Sequence, residues 1–130
     1  MTVRSDDGMD EFSTSATNRV CILRDGKVLM NAIDPEVVGL HKSSLKDIQI
    51  STKEDAIKSF VEVLNNTANQ AMIETTALNA AGGLIVANIA NNFEEGVELA
   101  MNTIKDGKAF KTLENFVADT GDISKLKEMI

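Results

Sequence analysis

The spacing of apolar residues changes once along the 130-residue chain, and this change limits the folds open to it more than any other feature. Before Ser51 the apolar residues occur in short β-rich runs. From Ser51 onward they recur every three to four residues, as in amphipathic helices. We therefore predict an α/β chain with its strands in the first part and its helices in the remainder. The sequence contains no internal repeat, linker or low-complexity segment that would divide it.

Two β-rich runs, Asn18–Leu23 and Val28–Ile33, predict a β-hairpin. The residues between them include Asp-Gly, which is a strong turn signal between such runs. Thr2–Arg4 is also β-capable, but no obvious partner strand follows, so we predict an isolated strand stub there. Because a two-stranded hairpin is marginally stable alone, this pattern is typical of the end of a larger α/β domain.

A connector follows the hairpin. Asp34 and Pro35 are typical of a helix start and Gly39 of a helix end, so a single helical turn is expected. The next helix is expected to begin with a capping box, because Ser51 and Glu54 have the Ser-x-x-Glu spacing.

The remaining sequence predicts four to five helices. A second helix is expected over about 69–90, and Asn92 with Glu95 predicts the cap of a third. Residues at helical spacing are expected to line the buried faces. They are Ile57, Phe60, Val61 and Leu64 in the first helix, Val97, Met101 and Ile104 in the third, Phe110, Leu113, Phe116 and Val117 in the fourth, and Ile123, Leu126 and Ile130 in a short fifth.

Charge and composition exclude several classes of protein. The chain has 13 basic and 20 acidic side chains, a net charge of −7, whereas nucleic-acid-binding proteins usually carry a basic surface. The longest uncharged stretch, Thr75–Phe93, is interrupted by asparagines and predicts a buried helix whose Ala and Gly residues allow close packing, not a membrane span. With a single cysteine and no signal-peptide pattern, the sequence indicates a cytoplasmic protein.

Four carboxylates, Asp6, Asp7, Asp10 and Glu11, lie within six residues after the first predicted strand. Such acids repel one another unless solvent or a cation relieves the repulsion. Mg²⁺ is typically held by one or two carboxylates together with substrate phosphates, and ligand loops occupy the carboxyl ends of strands in α/β sheets. From these residues alone, a magnesium loop and an ordinary solvated turn both stay open.

Other candidate residues carry weaker signals. His41 is the only histidine and is expected to be exposed on the connector. Cys21 lies within a predicted strand and is expected to be a buried, unreactive thiol. No arrangement of a nucleophile with a base is visible.

Three segments together resemble one enzyme family. They are residues 3–13 (Val-Arg-Ser-Asp-Asp-Gly-Met-Asp-Glu-Phe-Ser), 35–40 (Pro-Glu-Val-Val-Gly-Leu) and 78–81 (Leu-Asn-Ala-Ala), with a Gly-Lys-Ala junction at 107–109. In order and approximate spacing they are similar to the C-terminal part of the catalytic domain of the anthranilate phosphoribosyltransferases, within the nucleoside phosphorylase/phosphoribosyltransferase superfamily. The likeness extends over about 3–117.

The resemblance implies a glycosyltransferase of tryptophan biosynthesis. Such an enzyme transfers phosphoribosyl from phosphoribosyl diphosphate to anthranilate, and in the family Asp10 and Glu11 would ligate the Mg²⁺ ions that accompany the diphosphate. An acidic protein can hold this anionic substrate when metal ions bridge the two. The family's homodimer forms through N-terminal helices.

Family features that precede the matched segments have no counterpart in the sequence: the Gly-Thr-Gly-Gly-Asp phosphate-binding loop, the Lys-His-Gly segment and the N-terminal helical domain. We therefore expect a single partial domain over 1–130, with the acidic metal loop and hairpin in 1–34 and the connector and helices in 35–130. We expect it to be inactive alone. Two alternatives remain, a non-catalytic helical interaction module and a fragment of a related nucleoside phosphorylase.

Overall fold

The computed structural model describes all residues, Met1–Ile130, and contains three strands followed by six helices. The strands are β1 (Thr2–Ser5), β2 (Asn18–Arg24) and β3 (Lys27–Ile33). The helices are α1 (Leu45–Ile48), α2 (Lys53–Leu64), α3 (Gln70–Val86), α4 (Phe93–Lys105), α5 (Lys108–Thr120) and α6 (Ile123–Lys127). The predicted α/β architecture, with strands first, is confirmed. None of the helices combines the length and apolar character that a membrane span requires.

The three strands form one antiparallel sheet in the order β1-β2-β3. The predicted hairpin is confirmed, and its turn residues Asp25 and Gly26 both have positive φ, 51° and 73°, as a type I′ turn requires. The isolated strand stub is wrong, because β1 pairs with β2 and Val3 lies opposite Val20. A long loop separates these two strands in sequence, so a local sequence pattern does not indicate that they pair or in which register.

One apolar core joins the inner face of the sheet to α3 and α4. Its centre is fully buried at Leu78 and Ala81 of α3, and Val20 of β2 packs into it. Phe12, from the loop after β1, meets Phe93 at the start of α4 with 5.2 Å between the ring centroids. The longest helix of the chain therefore supports both the sheet and the loop.

Small residues let α3 approach its neighbours closely, as predicted for the uncharged stretch. A Cβ atom added at Gly96 of α4 would lie 2.9 Å from the Cβ of Ala81 and 3.1 Å from its Cα. At Gly82 an added Cβ would lie 2.7 Å from the ring of Phe12. Contacts this short do not occur in well-packed interiors, so both positions depend on the absence of a side chain.

Two helix starts agree with the sequence and one differs. Asn69 and Asn92 cap α3 and α4, because their side-chain oxygens accept the backbone N–H of Met72 and of Glu95, three residues after each cap. The cap of α2 is Thr52 and not Ser51, since the Thr52 hydroxyl accepts the N–H of Asp55 at 3.0 Å. The cap therefore lies one residue later than the Ser-x-x-Glu spacing predicts.

The ends of α3 and of the connector also differ from expectation. α3 ends at Val86, earlier than the predicted limit near 90, because Asn88 takes a positive φ of 57° that ends the helical path. Residues 35–39 form a hydrogen-bonded turn and not a helical turn, although Gly39 closes it with a φ of 86° as expected. The short helix α1 was not predicted, since four residues are too few to show a period.

Several residues predicted to be buried are exposed. Phe60 of α2 is 57% exposed and Phe116 of α5 is 63% exposed, while Val61 and Val63 are the buried residues of α2. Of the stripe predicted for α2 only Val61 is buried, and no residue of α5 is buried, so periodicity alone did not identify which side of each helix is covered. Exposure is also higher than predicted elsewhere, at Ile57, Leu64, Met101, Phe110, Leu113, Val117, Ile123, Ile130 and Cys21.

Candidate functional site

The acidic loop, residues 6–17, connects β1 to β2 and lies against α3. Its base is closed where the N–H of Asp6 donates to the carbonyl of Thr17 at 2.9 Å. Its tip turns back at Gly8, with a φ of 96°, so that the N–H of Ser5 reaches the carbonyl of Met9 at 2.9 Å. The expectation that the acids follow the carboxyl end of a strand is confirmed.

Two of the four acids are engaged by other groups of the protein. Asp6 accepts two hydrogen bonds from the guanidinium of Arg19, at 2.7 and 3.2 Å, on the exposed surface of the sheet. Asp7 turns inward and accepts the hydroxyl of Ser13 at 2.6 Å, the hydroxyl of Ser15, and the N–H of Met9 at 3.0 Å. Their charges are therefore relieved without a cation.

The environment of Asp7 keeps it ionised. Burial by itself raises the pKa of this carboxyl, but the hydrogen bonds from Ser13, Ser15 and the N–H of Met9 outweigh it and hold the pKa at about 2. Ser5, fully buried, also lowers this pKa, although its hydroxyl forms no hydrogen bond of normal geometry. The loop is thus organised around a partly buried anion that accepts hydrogen bonds from hydroxyl groups.

Asp10 and Glu11 are exposed and form no hydrogen bond or ion pair with the protein. No three His, Cys, Asp or Glu side chains of the chain converge into a complete ligand set. Two free carboxylates nevertheless fit the chemistry of Mg²⁺, which commonly takes one or two carboxylates and completes its shell with water and substrate phosphates. The structure thus separates the four predicted acids into two that shape the loop and two that are free.

An open cavity of about 360 Å³ lies beside Glu11, between the acidic loop, α2 and α3. Its walls are mostly apolar, and they include Met9 and Glu11 of the loop, Phe60 and Val63 of α2, and Met72 and Thr75 of α3. Phe60, an exposed residue of α2, therefore lines the same cavity as Glu11.

Sequence reasoning missed a second charged cluster. His41 is exposed, as expected, but its Nδ1 lies 2.7 Å from Oε1 of Glu74, which is only 2% exposed on α3. The same carboxylate accepts the N–H of His41 at 2.8 Å and the side-chain amide of Gln70 at 2.6 Å. The sequence could have shown only that Glu74 is buried and needs a partner, because it falls on the buried face of α3 at helical spacing from Ala77 and Leu78.

This pair makes stability depend on pH. The hydrogen bond to Glu74, aided by its charge and by that of Glu36, raises the pKa of His41 above 6.5. Burial raises the pKa of Glu74, but hydrogen bonds from Gln70 and His41 outweigh it and bring the pKa below 4.5. The stability that His41 contributes is complete below pH 6.5 and is lost as the pH rises through its raised pKa. The stability that Glu74 contributes is complete above pH 4.5 and is lost as the pH falls through its lowered pKa.

We accordingly expect the His41–Glu74 pair to stabilise the fold most between pH 4.5 and pH 6.5. Thermal unfolding of the chain and of His41→Asn checks this. The Tm difference between the two proteins should be larger near pH ~5.5 than near pH ~8.5, because His41 loses its charge as pH rises through that interval and His41→Asn has no charge to lose. Equal differences at both pH values would show that the charge of His41 contributes nothing.

The chain matches one protein family along most of its length. Residues 1–110 match the family described as glycosyl transferase family, a/b domain, and this range includes the sheet, the acidic loop and the first four helices. The chain belongs to this family.

Individual members of the glycosyl transferase family agree with the assignment. The chain is 88% identical over 129 residues to the anthranilate phosphoribosyltransferase of Nitrosopumilus maritimus strain SCM1, an alignment that covers 99% of the chain and 37% of that relative. The resemblance predicted from the motifs is thereby confirmed. The chain spans little more than a third of the length of the relatives it matches.

Solved structures of the family share the fold. The anthranilate phosphoribosyltransferase of Thermus thermophilus superposes with a TM-score of 0.78 at 29% identity, over 89% of this chain and 34% of its own. A single-residue variant of the Saccharomyces cerevisiae enzyme, solved with Mg bound, has a TM-score of 0.74 at 26% identity over the same shares.

Proposed function

We propose that the chain is part of a Mg²⁺-dependent glycosyltransferase that transfers phosphoribosyl from phosphoribosyl diphosphate to the amino group of anthranilate. The observation that carries this proposal is the state of Asp10 and Glu11. They are the two acids of the loop without a protein partner, in a family whose relative in Saccharomyces cerevisiae was solved with Mg bound.

In this reaction the amine of anthranilate forms a bond to the anomeric carbon of the ribose, the bond from that carbon to the diphosphate oxygen breaks, and the amine loses a proton. Asp10 and Glu11 would hold Mg²⁺ through their carboxylates. The ion would supply positive charge to offset the negative charge that develops on the departing diphosphate. Asp6 and Asp7 do not compete for the ion, since Arg19 and the serine hydroxyls already engage them.

We assign no catalytic residue within the chain. No nucleophile or base lies paired beside Asp10 and Glu11, and the family's glycine-rich phosphate loop has no counterpart in residues 1–130. We therefore expect the purified chain to bind Mg²⁺ with diphosphate but to show no phosphoribosyl transfer by itself.

Calorimetric titration of Mg²⁺ in the presence of inorganic diphosphate tests the metal role. The chain should bind the ion, and Asp10→Asn/Glu11→Gln should weaken binding by at least about 10-fold, because neutral amides do not replace two anionic ligands. Asp6→Asn is the matched control within the same loop, since it breaks only the exposed pair with Arg19. Unchanged affinity in the double variant would contradict the proposal.

A further inference from the structure

We propose that Asn79 of α3 is a positioning residue for metal binding, because it holds the backbone of Phe12 immediately after Glu11. This inference rests on the proposed metal role of Asp10 and Glu11. It adds a residue that lies outside the acidic loop and cannot itself be a ligand in this arrangement, since its amide is already occupied.

The side-chain amide of Asn79 engages both polar backbone groups of one loop residue. Its Oδ1 accepts the N–H of Phe12 at 3.1 Å, and its Nδ2 donates to the carbonyl of Phe12 at 2.7 Å. The same Nδ2 also donates to the carbonyl of Thr75, one turn earlier in α3, at 2.9 Å. The amide is therefore oriented by its own helix before it binds the loop.

The side chain of Phe12 attaches the same residue to the core. It is 3% exposed, packs against Phe93, and lies over Gly82, where an added Cβ would approach its ring to 2.7 Å. Two residues later, Thr14 bonds to the hydroxyl of Thr75 at 2.7 Å. The segment that follows Glu11 is thus fixed on α3 through backbone and side chains together.

The free carboxylates lie between two fixed points. On one side the N–H of Met9 is held by Asp7, and on the other side Phe12 is held by Asn79. Asp10 and Glu11 have no partner of their own, so their backbone positions depend on these two attachments. Groups that hold metal ligands in place typically account for 10-fold to 100-fold in metal affinity when they are removed.

The test is calorimetric titration of Mg²⁺ with inorganic diphosphate on the full chain and on Asn79→Ala, together with the backbone amide NMR shifts of Asp10 and Glu11 in the metal-free proteins. We expect Asn79→Ala to bind Mg²⁺ about 10-fold more weakly and to shift both amide signals. Gly96→Ala is the control for lost stability, because it disturbs α3 at Ala81 without a contact to the loop. Its affinity should equal that of the unaltered chain.

Two results decide against the inference. Equal affinity in Asn79→Ala and the unaltered chain overturns it, as does an equal loss in Gly96→Ala, which would assign the effect to stability. If Asn79→Ala does not fold, Asn79→Asp replaces it, since this variant keeps an acceptor for the N–H of Phe12 and loses the donor to its carbonyl. Failure of the proposed function shows differently, because Asp10→Asn/Glu11→Gln would then bind as well as the unaltered chain, and Asn79 would have no metal site to position.

Discussion

Replacing Asn18 with alanine should lower the free energy of unfolding by about 3 kcal/mol. Asn18 is fully buried at the start of β2. Its Oδ1 accepts the N–H of Ser13 at 2.8 Å, and its Nδ2 donates to the carbonyls of Ser13, Ala16 and Ile33 at 2.9, 3.2 and 3.3 Å. One side chain therefore joins the end of the acidic loop to β2 and β3.

The effect is large because alanine leaves buried backbone N–H and C=O groups without a hydrogen-bond partner. Backbone groups that lose a buried partner keep the cost of their desolvation, roughly 1–3 kcal/mol for each group that water cannot reach. Urea unfolding monitored by circular dichroism gives the measurement. Asn31→Ala is the matched control, because Asn31 lies in the same sheet opposite Val20 but is exposed, and its change should stay within about 0.5 kcal/mol. If Asn18→Ala changed the free energy of unfolding as little as Asn31→Ala does, the four hydrogen bonds would contribute no net stability.

Gly96→Ala should destabilise the fold by about 2 kcal/mol, although alanine favours helices. The added Cβ would lie 2.9 Å from the Cβ of Ala81 and 3.3 Å from its carbonyl oxygen. These are not the ends of flexible side chains, so α3 and α4 must separate, and the packing of the core that Leu78 and Val97 share loosens with them.

Gly83→Ala, also on α3, is expected to increase the stability of the fold. Nothing lies within 4 Å of a Cβ added at Gly83, and its helical backbone suits alanine, so this variant should gain up to about 1 kcal/mol. Thermal and urea unfolding of the two variants give the comparison. If both variants gained stability, helix propensity would outweigh packing at the α3 and α4 contact, and the close approach would be less tight than the structure indicates.

The sequence predicted the elements whose signals are local. The Asp-Gly turn, the start of α3 near Asn69, the asparagine cap Asn92, and the buried glycine- and alanine-rich helix all depend on residues that are neighbours in the chain. The acidic loop after β1 belongs to the same class, since strand and acids are contiguous.

The differences arise where a partner lies far along the chain. His41 and Glu74 are 33 residues apart, and no spacing rule connects a connector residue to the buried face of a helix. The pairing of β1 with β2 is likewise decided across a loop. Phe60 shows a different limit, because helical periodicity states which residues share a face but not whether another element covers it.

The sequence located the four acids of the loop but did not indicate which of them are engaged by other protein groups and which are free. Their division depends on Arg19, which lies beside Asp6 only through the register of β1 with β2, and on the fold of the loop that brings Ser13 and Ser15 to Asp7. A sequence pattern contains neither distance. The family resemblance identified Asp10 and Glu11 among the four, and the structure leaves these same two without partners.

The internal hydrogen bonding of Asp7 has a consequence for how this loop can change over evolutionary time. The groups that give the loop its shape are Asp7, its serines and Asn79, and none of them is one of the two free carboxylates. Substitutions at positions 10 and 11 would therefore leave the fold of the loop intact, and under the proposed metal role they would change ion binding alone. A relative that lost the two free carboxylates would still keep the same loop, because the groups that shape it would remain.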